Sequence, residues 1–107
     1  MKVIVDDIKL VKAAFKKLGY KTTSPRHKNA NGPDVFAVNE HRSFSVEIKK
    51  ARIANKGRTV FRVDPVEKNR REDDLIAIVH PSGYVLIEHM ADHLKSCNLG
   101  GQRFIQY

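Results

Sequence analysis

Hydrophobic positions at the start of the chain recur with a helical rhythm. Ile4, Ile8, Val11, Phe15 and Leu18 are spaced four and three apart, which places them on one face of a helix. Lys9, Lys12, Lys16 and Lys17 fall away from the centre of that face, and Gly19 follows the last apolar position as a C-cap. One residue breaks the pattern. At about 100° per residue, Asp7 lies inside the apolar stripe between Ile4 and Val11, whereas Asp6 points elsewhere.

Beyond the helix the rhythm changes to that of strands. Residues 20–24 suit a short strand, and 25–33 form a polar stretch punctuated by Pro and Gly and made basic by Arg26, His27 and Lys28. Residues 34–38 read as a buried strand, 39–42 as a hairpin connection, and 43–49 alternate: Phe44, Val46 and Ile48 on one face, Ser45, Glu47 and Lys49 on the other. A basic connection (50–58) leads to a further strand at 59–63. The run from Glu67 to Asp74 is almost wholly charged and of mixed sign, which reads as a solvated turn or short helix. Residues 75–79 form an apolar central strand, 81–83 a turn, 84–87 its partner and 90–97 a short closing helix; the tail at 102–107 is left as strand or disorder. Tyr84 and Phe61 read as core or edge aromatics.

A chain of 107 residues accommodates one domain, spanning 1–107, with one modest core. Twenty Lys and Arg against twelve Asp and Glu give a net charge of +8, which favours polyanionic partners, nucleic acid first among them. Cys97 is the sole cysteine, so the chain has neither an intramolecular disulfide nor a cysteine-based zinc site, and a reducing, cytoplasmic compartment is expected. The N-terminal apolar run is too short for a signal peptide, and no stretch approaches the length of a membrane span. His89 and His93 are spaced i, i+4, a pairing that more often has no function than holds zinc.

Candidate chemistry is concentrated in the frame Gly32-Pro33-Asp34, twelve residues, then Glu47-Ile48-Lys49. An acid opens one apolar strand, and an acid and a lysine share a face at the end of the next. Mg²⁺ takes oxygen ligands and retains waters, so one or two carboxylates suffice to hold it. Asp34 and Glu47 are the candidate ligands, the backbone carbonyl of Ile48 a third, and Lys49 the group to orient or deprotonate a water and to offset transition-state charge. An acid and a lysine two apart on a strand also occur on plain solvated sheet faces; the surrounding frame and the basic chain favour the metal site.

The same residues resemble the PD-(D/E)XK nuclease superfamily, with Pro33-Asp34 as the first half of its motif and Glu47-Ile48-Lys49 as the second. Residues 3–52 are similar to archaeal Holliday junction resolvases, through the helix to Leu18, Gly19-Tyr20, the basic loop at 26–28 and the two motif strands. The shorter middle segment is closer to small phage-type or homing-type endonucleases. The resemblance implies a restriction-endonuclease-like α/β fold, a mixed central sheet with flanking helices. It implies metal ligation by Asp34 and Glu47 with water activation by Lys49. Many members add an acid from the first helix, for which Asp7 is the candidate; Asp7 equally suits a helix N-terminus, where the dipole favours an acid.

The expectation is therefore a Mg²⁺-dependent DNA endonuclease, with Mn²⁺ able to substitute, acting as a homodimer or higher oligomer. Structure-selective, resolvase-like cleavage is the finer form, and a non-cleaving nucleic-acid-binding module is the alternative. Arg26, Lys28, Lys50, Arg52, Lys56 and Arg58 are the candidate phosphate contacts. Apolar residues of the hairpin from Leu75 to Ile87 are the candidate interface between copies.

Overall fold

The computed structural model describes residues 5–25, 32–54 and 59–106. The first helix, α1 (Val5–Lys17), carries Asp6 and Asp7 in its first turn and Lys16 and Lys17 in its last, charges that complement the helix dipole at both ends. It stops at Gly19, whose φ of 89° a side chain would resist. The N–H groups of Gly19 and Tyr20 satisfy the carbonyls of Lys16 and Phe15 at 3.1 and 3.0 Å. Val11 and Phe15 are buried as the periodicity requires. Leu18 is not: it lies past the last helical turn and is exposed, so the apolar stripe ends at Phe15. Ile4 lies outside the described residues.

Five strands build the main sheet: β1 (Lys21–Thr23), β2 (Val35–Val38), β3 (Ser43–Lys50), β6 (Leu75–Val79) and β7 (Val85–His89), in the spatial order β1-β2-β3-β6-β7. β3 and β6 run parallel, and the remaining pairs are antiparallel. The β2–β3 hairpin closes where the sequence places it. Asn39 turns the chain by accepting the N–H groups of His41 and Arg42 on its side-chain oxygen, at 2.9 and 2.7 Å. β6, central and parallel to β3, is buried along its whole length, as its unbroken apolar run demands.

Each face of this sheet has its own apolar cluster. On one face Val35, Ala37, Val46, Ile48, Ala77 and Val79 pack against Val11 and Phe15 of α1. On the other, Ala51, Ile76 and Ile78 pack against Phe61, Val63, Val66 and Met90. This second layer comes from a small antiparallel sheet, β4 (Arg52–Ile53), β5 (Val60–Val63) and β8 (Arg103–Gln106), and from helix α2 (Met90–Ser96). The tail from Arg103 is thus a strand paired with β5, and three of the eight strands lie outside the expected central sheet. Their covering layer explains why Glu47 and Lys49 are buried, although alternation alone places them on a polar face. Among the described residues no helix is long and apolar enough to cross a membrane.

Two expectations about the C-terminal half change. Leu75 to Val79 are consumed by the chain's own core, so they have no surface to offer a second copy; of the hairpin, Tyr84 is exposed and Val85 to Ile87 are partly buried. The charged run from Glu67 to Asp74 is not simply solvated. It forms one turn of 3-10 helix, Lys68–Arg70, and sends Arg70 inward.

Candidate metal centre

Asp34 sits where the β2–β3 ladder ends. Its backbone N–H donates to the Val46 carbonyl at 3.0 Å, and its Oδ2 accepts the N–H of Ile48 at 2.8 Å. The carboxylate therefore serves β3 as a backbone acceptor serves a neighbouring strand, just past the last registered pair, Val35 and Val46. Pro33 precedes it and restricts Gly32 to extended geometry, which suits a chain entering a strand at this point. The N–H and carbonyl of one strand residue face the same side, so the Ile48 carbonyl also looks toward Asp34.

Glu47 is adjacent on β3, 1% exposed, and its side chain lies on the same face as that of Asp34. Burial and the nearby charge of Asp34 raise its pKa to about 7, against the opposing pull of Arg70 and Lys49. Arg70 spans the two acids. One terminal nitrogen, Nη1, is 2.9 and 2.8 Å from the two oxygens of Glu47 and 3.4 Å from each oxygen of Asp34. Burial works against the charge of Arg70, but the hydrogen bond and charge of Glu47, with the charges of Asp34 and Glu67, outweigh it and raise the guanidinium pKa further. Four carboxylate oxygens thus surround a single cationic nitrogen, all within 3.4 Å.

Lys49 follows two residues after Glu47 on the same face, buried at 7% exposure. Its charge is felt by Glu47 and by His93. Among the described residues its ammonium makes no hydrogen bond or ion pair, and burial holds it beside Glu47. Asp73, behind Arg70, has its pKa raised by burial first and also by the charges of Asp34 and Asp74. Its Oδ2 is buried without a hydrogen-bond partner among the described residues. Asp74 instead ties the start of β6 to β3, accepting the Ser45 N–H at 3.0 Å while its own N–H donates to Ser45 Oγ at 3.0 Å.

The structure brings Asp34, Glu47, Ile48 and Lys49 together and adds Arg70, from a charged run expected to be a solvated turn or short helix. The signal for Arg70 is slight: its run lies directly before the β6 strand that pairs with β3. Asp7 is buried near Lys50, with its Oδ2 3.9 Å from Lys50 Nζ. Lys50 alternates with Lys49 along β3, so this ion pair belongs to the α1 face of the sheet. Arg52 is engaged with Asp64 at 3.1 Å, beside Arg62, which reaches the same carboxylate at 3.2 Å. Arg26, Lys28, Lys56 and Arg58 lie outside the described residues. Among the described residues no group of three or more His, Cys, Asp or Glu side chains is placed to hold a metal ion. The acid pair is therefore a two-carboxylate site.

The His89–His93 spacing has a different outcome. His89 is exposed, whereas His93 is fully buried in α2. Its Nδ1 lies 3.4 Å from Arg103 Nη1 and its Nε2 3.6 Å from the Cys97 sulfur, while Arg103 is bound to Glu88. Burial and the charge of Arg103 lower the His93 pKa, and burial raises that of Cys97, so this cluster is a neutral histidine and thiol beside an ion pair.

No protein-family model matches the chain, and no curated protein matches it. Among solved structures the chain is similar to a bacterial homing endonuclease, I-Ssp6803I, with a TM-score of 0.76 and 12% sequence identity, over 94% of this chain and 70% of that one. At that identity the likeness establishes the fold: a restriction-endonuclease-like α/β architecture with a mixed five-stranded sheet flanked by two helices.

Proposed function

We propose that this chain is a metal-dependent DNA endonuclease that hydrolyses phosphodiester bonds at Asp34, Glu47 and Lys49. The observation that carries the reading is the ring of four carboxylate oxygens from Asp34 and Glu47 about one cationic centre, with Lys49 next along the same strand face. All four donors are hard oxygens, the chemistry that Mg²⁺ and Mn²⁺ prefer, and a buried Glu47 this close to a half-buried Asp34 is repelled by it unless a cation lies between them. The raised pKa of Glu47 records that repulsion, after burial. The donor set fits such an ion, with Asp34 and Glu47 as ligands and the Ile48 carbonyl directed toward the same side.

A bound divalent cation lowers the pKa of the attacking water and neutralises charge on the phosphate. The chain's own residues do the rest. Asp34, anchored by the Ile48 N–H, holds its carboxylate fixed between β2 and β3. Glu47, in its ionised form, completes the oxygen set. Lys49 presents an ammonium beside Glu47 on the same strand face, able to orient the water, accept its proton once deprotonated, or offset the anionic transition state. Burial of Glu47 and Lys49 lowers the local dielectric and strengthens their interactions.

DNA is the proposed substrate because the chain carries +8 and the fold is shared with an endonuclease. Two strands of a duplex and one site per chain call for a homodimer or higher homo-oligomer. Resolvase-like selectivity for branched DNA is the finer form of the proposal. A non-cleaving DNA-binding module is the second reading, favoured by one observation: Arg70 already neutralises the acid pair.

A panel of supercoiled plasmid, linear duplex, single strand and four-way junction, incubated with Mg²⁺, Mn²⁺ or EDTA, separates the two. Metal-dependent cutting supports the nuclease and reveals its substrate class. Salt-sensitive binding without cutting supports the module.

A further inference from the structure

Arg70 makes contacts for which the nuclease chemistry has no direct use. It is not on a motif strand. It reaches the acids from the 3-10 turn between β5 and β6, and the connection from Val66 to Asp74 is shaped so that it can. The Arg70 and Arg71 N–H groups bond to the Glu67 carbonyl at 2.9 and 3.1 Å, which closes the turn. Arg71 Nε donates to the Val66 carbonyl at 3.3 Å, next to the buried Val66 side chain. The turn is therefore anchored, and the side chain that leaves it is 20% exposed, against 1% for Glu47.

Resting on the nuclease reading above, we propose that Arg70 is an internal counter-cation that competes with the divalent metal for Asp34 and Glu47, and that its displacement arms the site. The argument is one of shared atoms. Arg70 Nη1 contacts every carboxylate oxygen that a metal would take as ligand. A carboxylate oxygen has lone pairs for two partners, but Nη1 lies between the two acids, within 3.4 Å of all four oxygens, and so fills the space that a metal held by both at about 2.1 Å needs. Metal entry must break a charge-assisted set of hydrogen bonds, so the measured metal affinity is the intrinsic one reduced by the cost of moving Arg70. The departing guanidinium has somewhere to go. Glu67, which is exposed, has a carboxylate oxygen 3.7 Å from Arg70 Nε, and the bound phosphate would attract the same group. On this proposal the arginine insulates the acid pair when metal is scarce and faces the substrate when metal is bound.

The test is Mn²⁺ titration by calorimetry of the full chain, of Arg70→Gln and of Arg70→Lys, with thermal melts of each in EDTA. In EDTA, Arg70→Gln should melt several degrees lower, because the buried Glu47 and the half-buried Asp34 lose their counter-charge. It should nevertheless bind Mn²⁺ about tenfold or more tightly than the unmodified chain. Arg70→Lys keeps a cation but not the guanidinium geometry, and should bind Mn²⁺ more weakly than Arg70→Gln. Equal Mn²⁺ affinity in all three, or weaker binding by Arg70→Gln, overturns the competition while leaving the nuclease reading intact. Absence of Mn²⁺ binding in every protein overturns both. Should Arg70→Gln fail to fold, the unmodified chain provides the readout. The slowed side-chain N–H signals of Arg70 in nitrogen-edited spectra, assigned by their loss in Arg70→Lys, should sharpen toward those of a mobile arginine as Mg²⁺ is added. Saturation with Mg²⁺ that leaves those signals unchanged overturns the competition.

Discussion

Asp34 accepts the backbone N–H of Ile48 at 2.8 Å, so the residue that opens β2 also fixes the end of β3 that carries Glu47 and Lys49. One carboxylate therefore has a structural and a chemical duty, and substitutions separate them. Asp34→Asn keeps a side-chain oxygen for Ile48, whereas Asp34→Ala leaves that N–H without its acceptor, at a cost of about 1–3 kcal/mol. Asp34→Asn should melt close to the unmodified chain, and Asp34→Ala clearly below it. Both should lose cleavage by on the order of a thousandfold. Chemical denaturation and a plasmid assay check the two effects independently.

Lys49 should separate chemistry from metal binding in the opposite way. Lys49→Met preserves the buried aliphatic stem and removes the ammonium. Cleavage should fall by about a hundredfold to ten-thousandfold. Mn²⁺ affinity should hold or improve slightly, since a like charge beside the ion is gone. Calorimetry beside a cleavage assay decides it; a Lys49→Met protein that cuts normally contradicts the assigned role.

Glu47 gives the chain a pH signature. Its folded-state pKa is about 7, above the ordinary value of 4.5, so the folded chain holds this proton more tightly than the unfolded chain does. The associated stability is fully present below pH 4.5 and is lost as pH rises through about 7. Over that window this group alone should lower stability by roughly 3 kcal/mol, and Glu47→Gln should remove the slope. Metal binding requires the ionised form, so Mg²⁺ affinity should weaken up to about tenfold per pH unit below 7. Urea titrations across pH, with EDTA and with Mg²⁺, measure both trends.

Glu88, Arg103 and His93 form a bond network on the same sheet face but serve a different end: they fasten the C-terminal strand and α2 to β7. Glu88→Gln leaves Arg103, 15% exposed, without its acid and should destabilise the fold by roughly 1–3 kcal/mol. His93 is kept below its ordinary pKa by burial and by Arg103, so acidification below that value should also erode stability, as the unfolded chain takes up the proton more readily. Cleavage per folded molecule should be unchanged in Glu88→Gln. Melting temperature and specific activity, measured on one preparation, check the division.

Much of this arrangement was legible in the sequence because it depends on periodicity. The spacing of Val11 and Phe15 gives the α1 face, alternation from Phe44 to Lys49 gives the two faces of β3, and Asn39 marks the hairpin. Pairing Asp34 with Glu47 required only that the two strands be adjacent. Two features escaped because they depend on what covers a face. Strands of two to four residues, such as β4 and β8, carry too little pattern to reveal the second sheet that buries Glu47 and Lys49. Arg70 sits in a charged run of mixed sign that is indistinguishable from a solvated turn until the fold sets it beside the acid pair.

The most direct measurement is nicking of supercoiled plasmid by the unmodified chain, Asp34→Asn and Lys49→Met, with Mg²⁺ or with EDTA. The expected result is cutting by the unmodified chain in Mg²⁺, its abolition by EDTA, and its loss in both variants while the variants still bind DNA. Cutting that persists in EDTA, or in both variants, would contradict a metal centre built on Asp34 and Glu47 with Lys49 beside it.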